Sequence, residues 1–177
     1  MFRKFYPTVY SESAYTVDFG LLYEKGFRGL LTDVDNTLVP HDAPSTVQAE
    51  ELFRKLRDTG FKICIISNND EARVKTFADR VGAPYVFKAS KPSATGYLRG
   101  MEITGTDISD TIFMGDQLFT DIWGANNARI PSVLVKPIRT DHKFLILLKR
   151  AGEAIVKLFY FRYAAKHKTE LQKLLEK

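Results

Sequence analysis

From residue 28 onward, short apolar runs alternate with segments of helical periodicity, and that alternation leaves the chain few folds to choose from. Residues 30–34 contain Leu30, Leu31 and Val34 with no breaker between them, and residues 62–67 are almost wholly apolar. Strands of that composition are covered on both faces. Between them, Val47, Leu52, Phe53 and Leu56 share one face of a helix over 46–59, with Ser45 or Thr46 as its N-cap and Gly60 as its stop. A second helix over 70–81 ends at Gly82, a short strand follows at 85–87, and a third helix spans 93–103. A strand at 111–114, a helix at 120–128 and a fifth strand at 132–135 complete the series. The expectation is a single Rossmann-like α/β domain: a five-stranded parallel sheet with helices on both faces and right-handed crossovers.

A chain of 177 residues suffices for one packed domain and is short for two. Its 45% apolar content suits a globular core and excludes global disorder. The expected division is a core over 1–140, with an N-terminal extension, and a helical basic tail over 141–177 belonging to the same domain. The start, Met1-Phe2-Arg3-Lys4-Phe5-Tyr6-Pro7, is basic but has no apolar stretch or small-residue cleavage site behind it. No run of about 18 uncharged apolar residues exists to span a membrane. These features point to a cytoplasmic protein, at most peripheral to a membrane. Cys64 lies inside an apolar run and reads as a buried hydrophobe. A cysteine-dependent phosphatase would carry an arginine six residues further on, where Asp70 stands.

Ligands of such sheets bind beyond the carboxyl ends of the strands, and three polar clusters fall there. Asp33-Val34-Asp35-Asn36-Thr37 leaves the first strand. Two carboxylates one residue apart can divide the work of attacking phosphorus and moving a proton. An anionic nucleophile facing an anionic phosphate needs a dication between them, and carboxylates with a backbone carbonyl and waters suit Mg2+. The plainer reading is a solvated turn. Ser67-Asn68-Asn69 ends the next strand, where a hydroxyl and backbone N–H groups can take phosphate oxygens or merely cap a helix. Gly115-Asp116-Gln117-Leu118-Phe119-Thr120-Asp121 follows the fourth strand. Asp116 there points at the same rim, and Asp121 either meets metal through water, orients a lysine, or only stabilises a first helical turn. Lys91 and Lys88 compete for the place of a charge-neutralising lysine; Lys91 is preferred because Pro92 restrains it at the start of the helix.

Together and in this order, the clusters resemble the haloacid dehalogenase-like phosphatase superfamily over residues 28–136. The resemblance implies a Mg2+-dependent phosphatase in which Asp33 is the nucleophile and Asp35 the general acid and then base. It further implies that Ser67, with Asn68 beside it, binds phosphate and that Thr37 props the loop. Lys91 would stabilise charge, and Asp33, Asp35, Asp116 and Asp121 would serve the metal. Only one helix and its connections fit between Thr37 and Ser67, and again between Ser67 and Lys91, so there is no room for a cap domain. Asp-Val-Asp-Asn-Thr-Leu, Ile-Ser-Asn-Asn, Lys-Pro and Gly-Asp-Gln-Leu-x-Thr-Asp are similar to the YqeG group of subfamily IIIA, related to phosphatidylglycerophosphate phosphatase.

The charge is uneven. Residues 1–135 carry 15 basic and 17 acidic residues, and residues 136–177 carry 11 and 4. In the tail, Phe144, Leu147, Leu148, Ala151, Ile155, Leu158 and Phe159 recur at helical spacing, with Arg162, Lys166 and Lys168 beyond them. The ordinary reading is an amphipathic helix packed on the sheet. The sharper one is an interfacial helix on anionic phospholipid, with nucleic acid ranked third. Three functions remain open: a lipid-headgroup phosphatase, a phosphatase of a soluble phosphomonoester or phosphoprotein, and a non-catalytic phosphoacceptor or assembly partner.

Overall fold

The computed structural model describes residues 2–139 and 144–167. The ends of the expected basic tail, residues 140–143 and 168–177 with Lys168, lie outside the described residues, as do the side chains of 144–151, including Phe144, Leu147, Leu148 and Ala151.

Six strands form one parallel sheet in the order β1-β6-β5-β2-β3-β4. They are β1 (Val9–Ser11), β2 (Gly29–Thr32), β3 (Lys62–Ile66), β4 (Tyr85–Val86), β5 (Thr111–Gly115) and β6 (Ser132–Val135). The sheet is thus one strand wider than expected from sequence. Tyr10 of the added strand β1 pairs with Leu134 of β6 at the sheet edge. A strand of three residues with one fully buried position has neither the length nor the apolar run that marks a strand in sequence.

Side chains alternate across the sheet as the pleat requires. Leu30, Ile63, Ile65, Ile112 and Met114 pack with helices α1 (Phe19–Glu24), α2 (Val47–Thr59) and α3 (Glu71–Val81) on one face. Leu31, Cys64, Ile66 and Phe113 pack with α4 (Thr95–Thr104) and α5 (Trp123–Asn127) on the other. Burial pushes the Cys64 thiol up to about 12, which keeps it protonated and inert. A third cluster joins Leu134 to Leu118, Ile122 and Val156 of α6 (Phe144–Lys166), with Phe2, Phe5 and Tyr6 packed against it.

Local signals explain the helix ends. The Thr46 hydroxyl accepts from Ala49 N at 3.2 Å to cap α2, and Gly60 ends that helix at φ 106°. Helix α4 starts at Thr95, so Pro92 lies in the turn before it rather than at its first position. The helix read over 120–128 is instead a π-helical turn, Leu118–Ile122, running into the short α5.

Chain order places the site. From β2 the chain winds outward through β3 to β4, then returns through α4 to lay β5 on the other side of β2. The order therefore reverses between β2 and β5, and a crevice opens at their carboxyl ends. One helix, α2, lies between Thr37 and Ser67, and α3 with the two-residue β4 lies between Ser67 and Lys91. No further domain is inserted at either point.

Candidate active site

Asp33 is the first residue past β2, and its main-chain N–H donates to Met114 O of β5 at 2.9 Å. That bond ties it to the neighbouring strand at the switch point. The loop beyond it is tightly wound: Asn36 adopts φ 62°, a left-handed conformation that Asn tolerates better than most residues. Thr37 donates from Oγ1 to Asp33 Oδ2 at 3.3 Å.

Lys91 reaches this point from the loop after β4. Its Nζ donates to Asp33 Oδ1 at 2.7 Å and to Asp121 Oδ1 at 2.6 Å, and all three groups are buried. The competing Lys88 is exposed and pairs with Asp70 at 3.2 Å. Asn68 sets the position of Lys91: its Oδ1 accepts from Lys91 N at 2.7 Å and its Nδ2 donates to Lys91 O at 3.0 Å. The Asn68 amide, expected to face substrate, is therefore committed to holding the lysine. Ser67, buried at the end of β3, accepts at Oγ from Asn69 N at 3.2 Å.

Asp116 and Asp121 come from the loop and π turn after β5, and both are fully buried. The wide turn carries the Asp121 carboxylate back over its own start, where Oδ2 accepts from Gln117 N at 3.0 Å. A Cβ on Gly115 would stand 2.7 Å from that carboxylate, so only glycine fits there. Tyr97 of α4 supports the turn by donating to Asp121 O at 2.9 Å, and burial pushes its hydroxyl well above its usual range. Sequence reasoning passed over Tyr97, because an aromatic on a core-facing helix gives no sign of a polar task.

Asp33, Asp116 and Asp121 each offer a carboxylate oxygen within 4.8 Å of the others. Burial pushes the Asp33 carboxyl up to about 6 against the pull of Lys91, with Asp121 adding to the rise. Burial also opposes the charge on Lys91, but Asp121 and Asp33 overcome it and hold the ammonium charged well beyond its usual range. Three buried carboxylates gather here near one ammonium among the described residues. A buried, oxygen-only donor set of that kind fits a hard divalent cation such as Mg2+ and offers nothing to a soft one.

Asp35 is not brought into that cluster. Its Oδ1 accepts from Arg73 Nη2 at 2.7 Å and from Asp42 N at 2.9 Å, and its Oδ2 accepts from Asn69 Nδ2 at 2.6 Å. His41 and Asp42 stand beside it. Asp35, expected among the metal residues, has its carboxylate engaged instead by Arg73, Asn69 and the Asp42 N–H. Arg73 has no part in the sequence clusters, and Asn69 enters them only as the last residue of Ser67-Asn68-Asn69. The signal available for Arg73 was its place in the first turn of α3, directly after Ser67-Asn68-Asn69.

Comparisons with known proteins agree with the geometry. A sequence model of haloacid dehalogenase-like hydrolases matches residues 36–129, which include Ser67, Lys91, Asp116 and Asp121. The chain is 34% identical over 155 residues to the probable phosphatase YqeG of Bacillus subtilis, covering 86% of this chain and 90% of that one. It is 27% identical over 148 residues to phosphatidylglycerophosphate phosphatase 1 of Arabidopsis thaliana, covering 73% of this chain but only 40% of that protein. The fold resembles the cobalt-bound deoxy-D-mannose-octulosonate 8-phosphate phosphatase of Haemophilus influenzae, with a TM-score of 0.51 at 14% identity over 71% of this chain and 75% of that one.

Proposed function

The chain belongs to the haloacid dehalogenase-like hydrolases, and on that premise we propose that it is a Mg2+-dependent phosphatase forming an aspartyl-phosphate on Asp33. The observation that carries this reading is the Lys91 ammonium shared by Asp33 and Asp121 inside the buried carboxylate cluster. A nucleophile so placed keeps one carboxylate oxygen oriented by Lys91 and the other by Thr37.

In the first half-reaction an Asp33 oxygen bonds to phosphorus while the bond to the ester oxygen breaks. Asp35 gives its proton to the departing oxygen. In the second, Asp35 takes a proton from water, the water oxygen bonds to phosphorus, and the Asp33–phosphorus bond breaks to release phosphate. Ser67 donates a hydrogen bond from its hydroxyl to a phosphate oxygen, and Lys91 offsets the charge that builds during transfer. Asp33, Asp116 and Asp121 would hold the dication, and a contribution from Asp35 narrows to its main-chain carbonyl. The dication would neutralise charge between nucleophile and phosphate.

The reading extends to a lipid headgroup, phosphatidylglycerophosphate or a close relative. Its support is the likeness to the Arabidopsis enzyme and a strand-end rim with no inserted domain above it. The test is purified protein with Mg2+ assayed against that lipid in mixed micelles and against soluble sugar, nucleotide and protein phosphates. Turnover of soluble phosphates with none of the lipid would move the substrate to the soluble class. A protein silent on all of them, yet phosphorylated at Asp33 by a small acyl phosphate, would instead be a phosphoacceptor.

A further inference from the structure

Ten large apolar side chains are well exposed among the described residues. Six are scattered singly, but Ile155, Leu158, Phe159 and Phe161 lie within seven consecutive positions of α6. The helix has a different and sufficient inner face: Glu153, Val156, Tyr160 and Ala164 are buried at helical spacing. The exposed set is therefore a second apolar face turned away from the core, the arrangement that marks an interaction surface rather than scatter.

Its charges have one sign. Glu153 is the only acidic residue from 144 to 167 and is 1% exposed, turned inward. Arg162 and Lys166 are exposed on the outer side, following Ile155 and Leu158 along one stripe of the helix. The N-terminal segment adds to them. It has no acid before Glu12, and Arg3 lies over the ring of Tyr163 at 5.2 Å. Lys4 lies over Trp123 at 4.2 Å nearby. Phe2 stacks on Phe159 at 5.5 Å, which joins the two segments into one apolar and cationic surface.

We propose that this outer face of α6, with Arg3 and Lys4, is a docking surface for an anionic lipid bilayer. Exposed aliphatic and aromatic side chains beside cations match the acyl boundary and the negative headgroups of such a surface; the acid at its edge, Glu12, reached through the Phe161–Tyr10 contact, is paired with Lys136 at 3.3 Å. A second copy of the chain suits it less well, since a two-fold contact pairs the patch with itself, and the described charges on the outer face of α6 are all positive. The location ties the surface to the site: Glu153 on the inner face of α6 accepts from Leu118 N at 3.1 Å, in the loop between Asp116 and Asp121. A bilayer on α6 thus lies against the element that grips the metal-binding loop. The inference adds a partner to the proposed active site and is read without turnover, so it stands or falls apart from that proposal.

The experiment is flotation of the full chain with phosphatidylcholine vesicles and with phosphatidylcholine vesicles containing phosphatidylglycerol. The expected result is flotation with the anionic vesicles only, reversed by added salt. Arg162→Gln with Lys166→Gln lowers partitioning about 25-fold, about fivefold for each cation removed. Ile155→Glu with Leu158→Glu removes flotation, while both variants keep the wild-type circular-dichroism spectrum and a cooperative thermal melt, which report that they are folded. Three results would each overturn the inference: wild-type protein that stays at the bottom of the gradient with anionic vesicles, glutamine variants that float as well as wild type, or a dimer in solution that the Ile155→Glu, Leu158→Glu variant converts to monomer.

Discussion

Asp33 and Asp35 are two residues apart on one loop, yet their surroundings are opposite in kind. Asp33 shares Lys91 with Asp121 and faces Asp116, so carboxylates outnumber cations on its side. Asp35 has Arg73 at 2.7 Å, which also stands 3.9 Å from the exposed Asp42 carboxylate, and two further donors, Asn69 and the Asp42 N–H. Around Asp33 the described residues gather three carboxylates near one ammonium, whereas Asp35 keeps a guanidinium within hydrogen-bond distance. On the proposed mechanism, the difference separates a nucleophile that works beside metal from a proton carrier whose position is set by protein groups.

Exchanging the two carboxyls for amides breaks the comparison most directly. Asp33→Asn removes the attacking oxygen, and turnover is expected to fall by roughly four orders of magnitude or more. Asp35→Asn leaves the nucleophile intact. Phosphorylation of Asp33 by a substrate with a good leaving group should continue, and dephosphorylation should stall, so a burst of one product per enzyme is the measurement. Equal loss in both variants with no burst would mean that the two aspartates do not divide the work.

The next effect in size concerns the support of Asp35. Arg73→Ala removes the charged partner of a carboxylate that is otherwise held by neutral donors, an interaction of about 1.5–3 kcal/mol. The expected loss in kcat is about 10- to 100-fold, with Mg2+ affinity unchanged by isothermal titration calorimetry. A parallel loss of metal affinity would show that the two halves of the loop are not independent.

How much of this division was legible beforehand depended on where each residue sits. Asp33, Ser67, Lys91 and Asp116 fall at or just beyond strand ends, and parallel topology sends such ends to one rim whatever their individual signal. Arg73 and Glu153 come from helices, where a charged residue normally means solvent, so the partners of the loop stayed hidden. Glu153 did carry a mark: it is the only acid in an apolar and basic stretch from 144 to 167. Strands β3 and β5 were readable because covered faces demand apolar runs. Strand β1 was not, because its three residues are ordered by β6, more than 120 positions away in the chain. The π turn escaped for a related reason. Its bonds from Asp121 N and Ile122 N both go to Gln117 O, a geometry set by where the Asp121 carboxylate must lie.

The burial of Asp33, with Asp121 beside it, has a pH signature. Its carboxyl is raised to about 6 in the folded protein from a usual 3.8. A raised carboxyl binds its proton more tightly folded than unfolded, so its contribution to stability is complete below the unfolded value and is lost as pH rises through about 6. Metal-free protein should therefore lose stability as pH rises across that range, and Mg2+ should restore it by replacing the proton. Thermal melts with chelator and with Mg2+, at pH values on either side of about 6, read this directly. The increase in Tm from Mg2+ should be larger on the alkaline side and should lose its pH dependence in Asp33→Asn. A pH-independent Tm increase in wild type would place the metal away from Asp33.

The smallest expected effect tests the support on the metal side, the counterpart of Arg73. Glu153 accepts from Leu118 N at 3.1 Å and is buried, so Glu153→Ala leaves that N–H in the interior without its acceptor. Such a loss costs about 1–3 kcal/mol, a fall in Tm of roughly 5 °C for a chain of this length. Glu153→Gln keeps an oxygen where the acceptor stood and should recover most of that fall. Outer partners of metal-binding groups typically govern about 10- to 100-fold in affinity, so the alanine variant should bind Mg2+ more weakly while retaining the burst seen in Asp35→Asn when the two substitutions are combined. Arg73→Ala should show the reverse, with slower turnover and intact metal binding. If Glu153→Ala lowers Tm and leaves Mg2+ affinity untouched, α6 stabilises the fold without reaching the metal loop, and the two sides of the Asp33–Asp35 loop differ in charge but not in having separate supports.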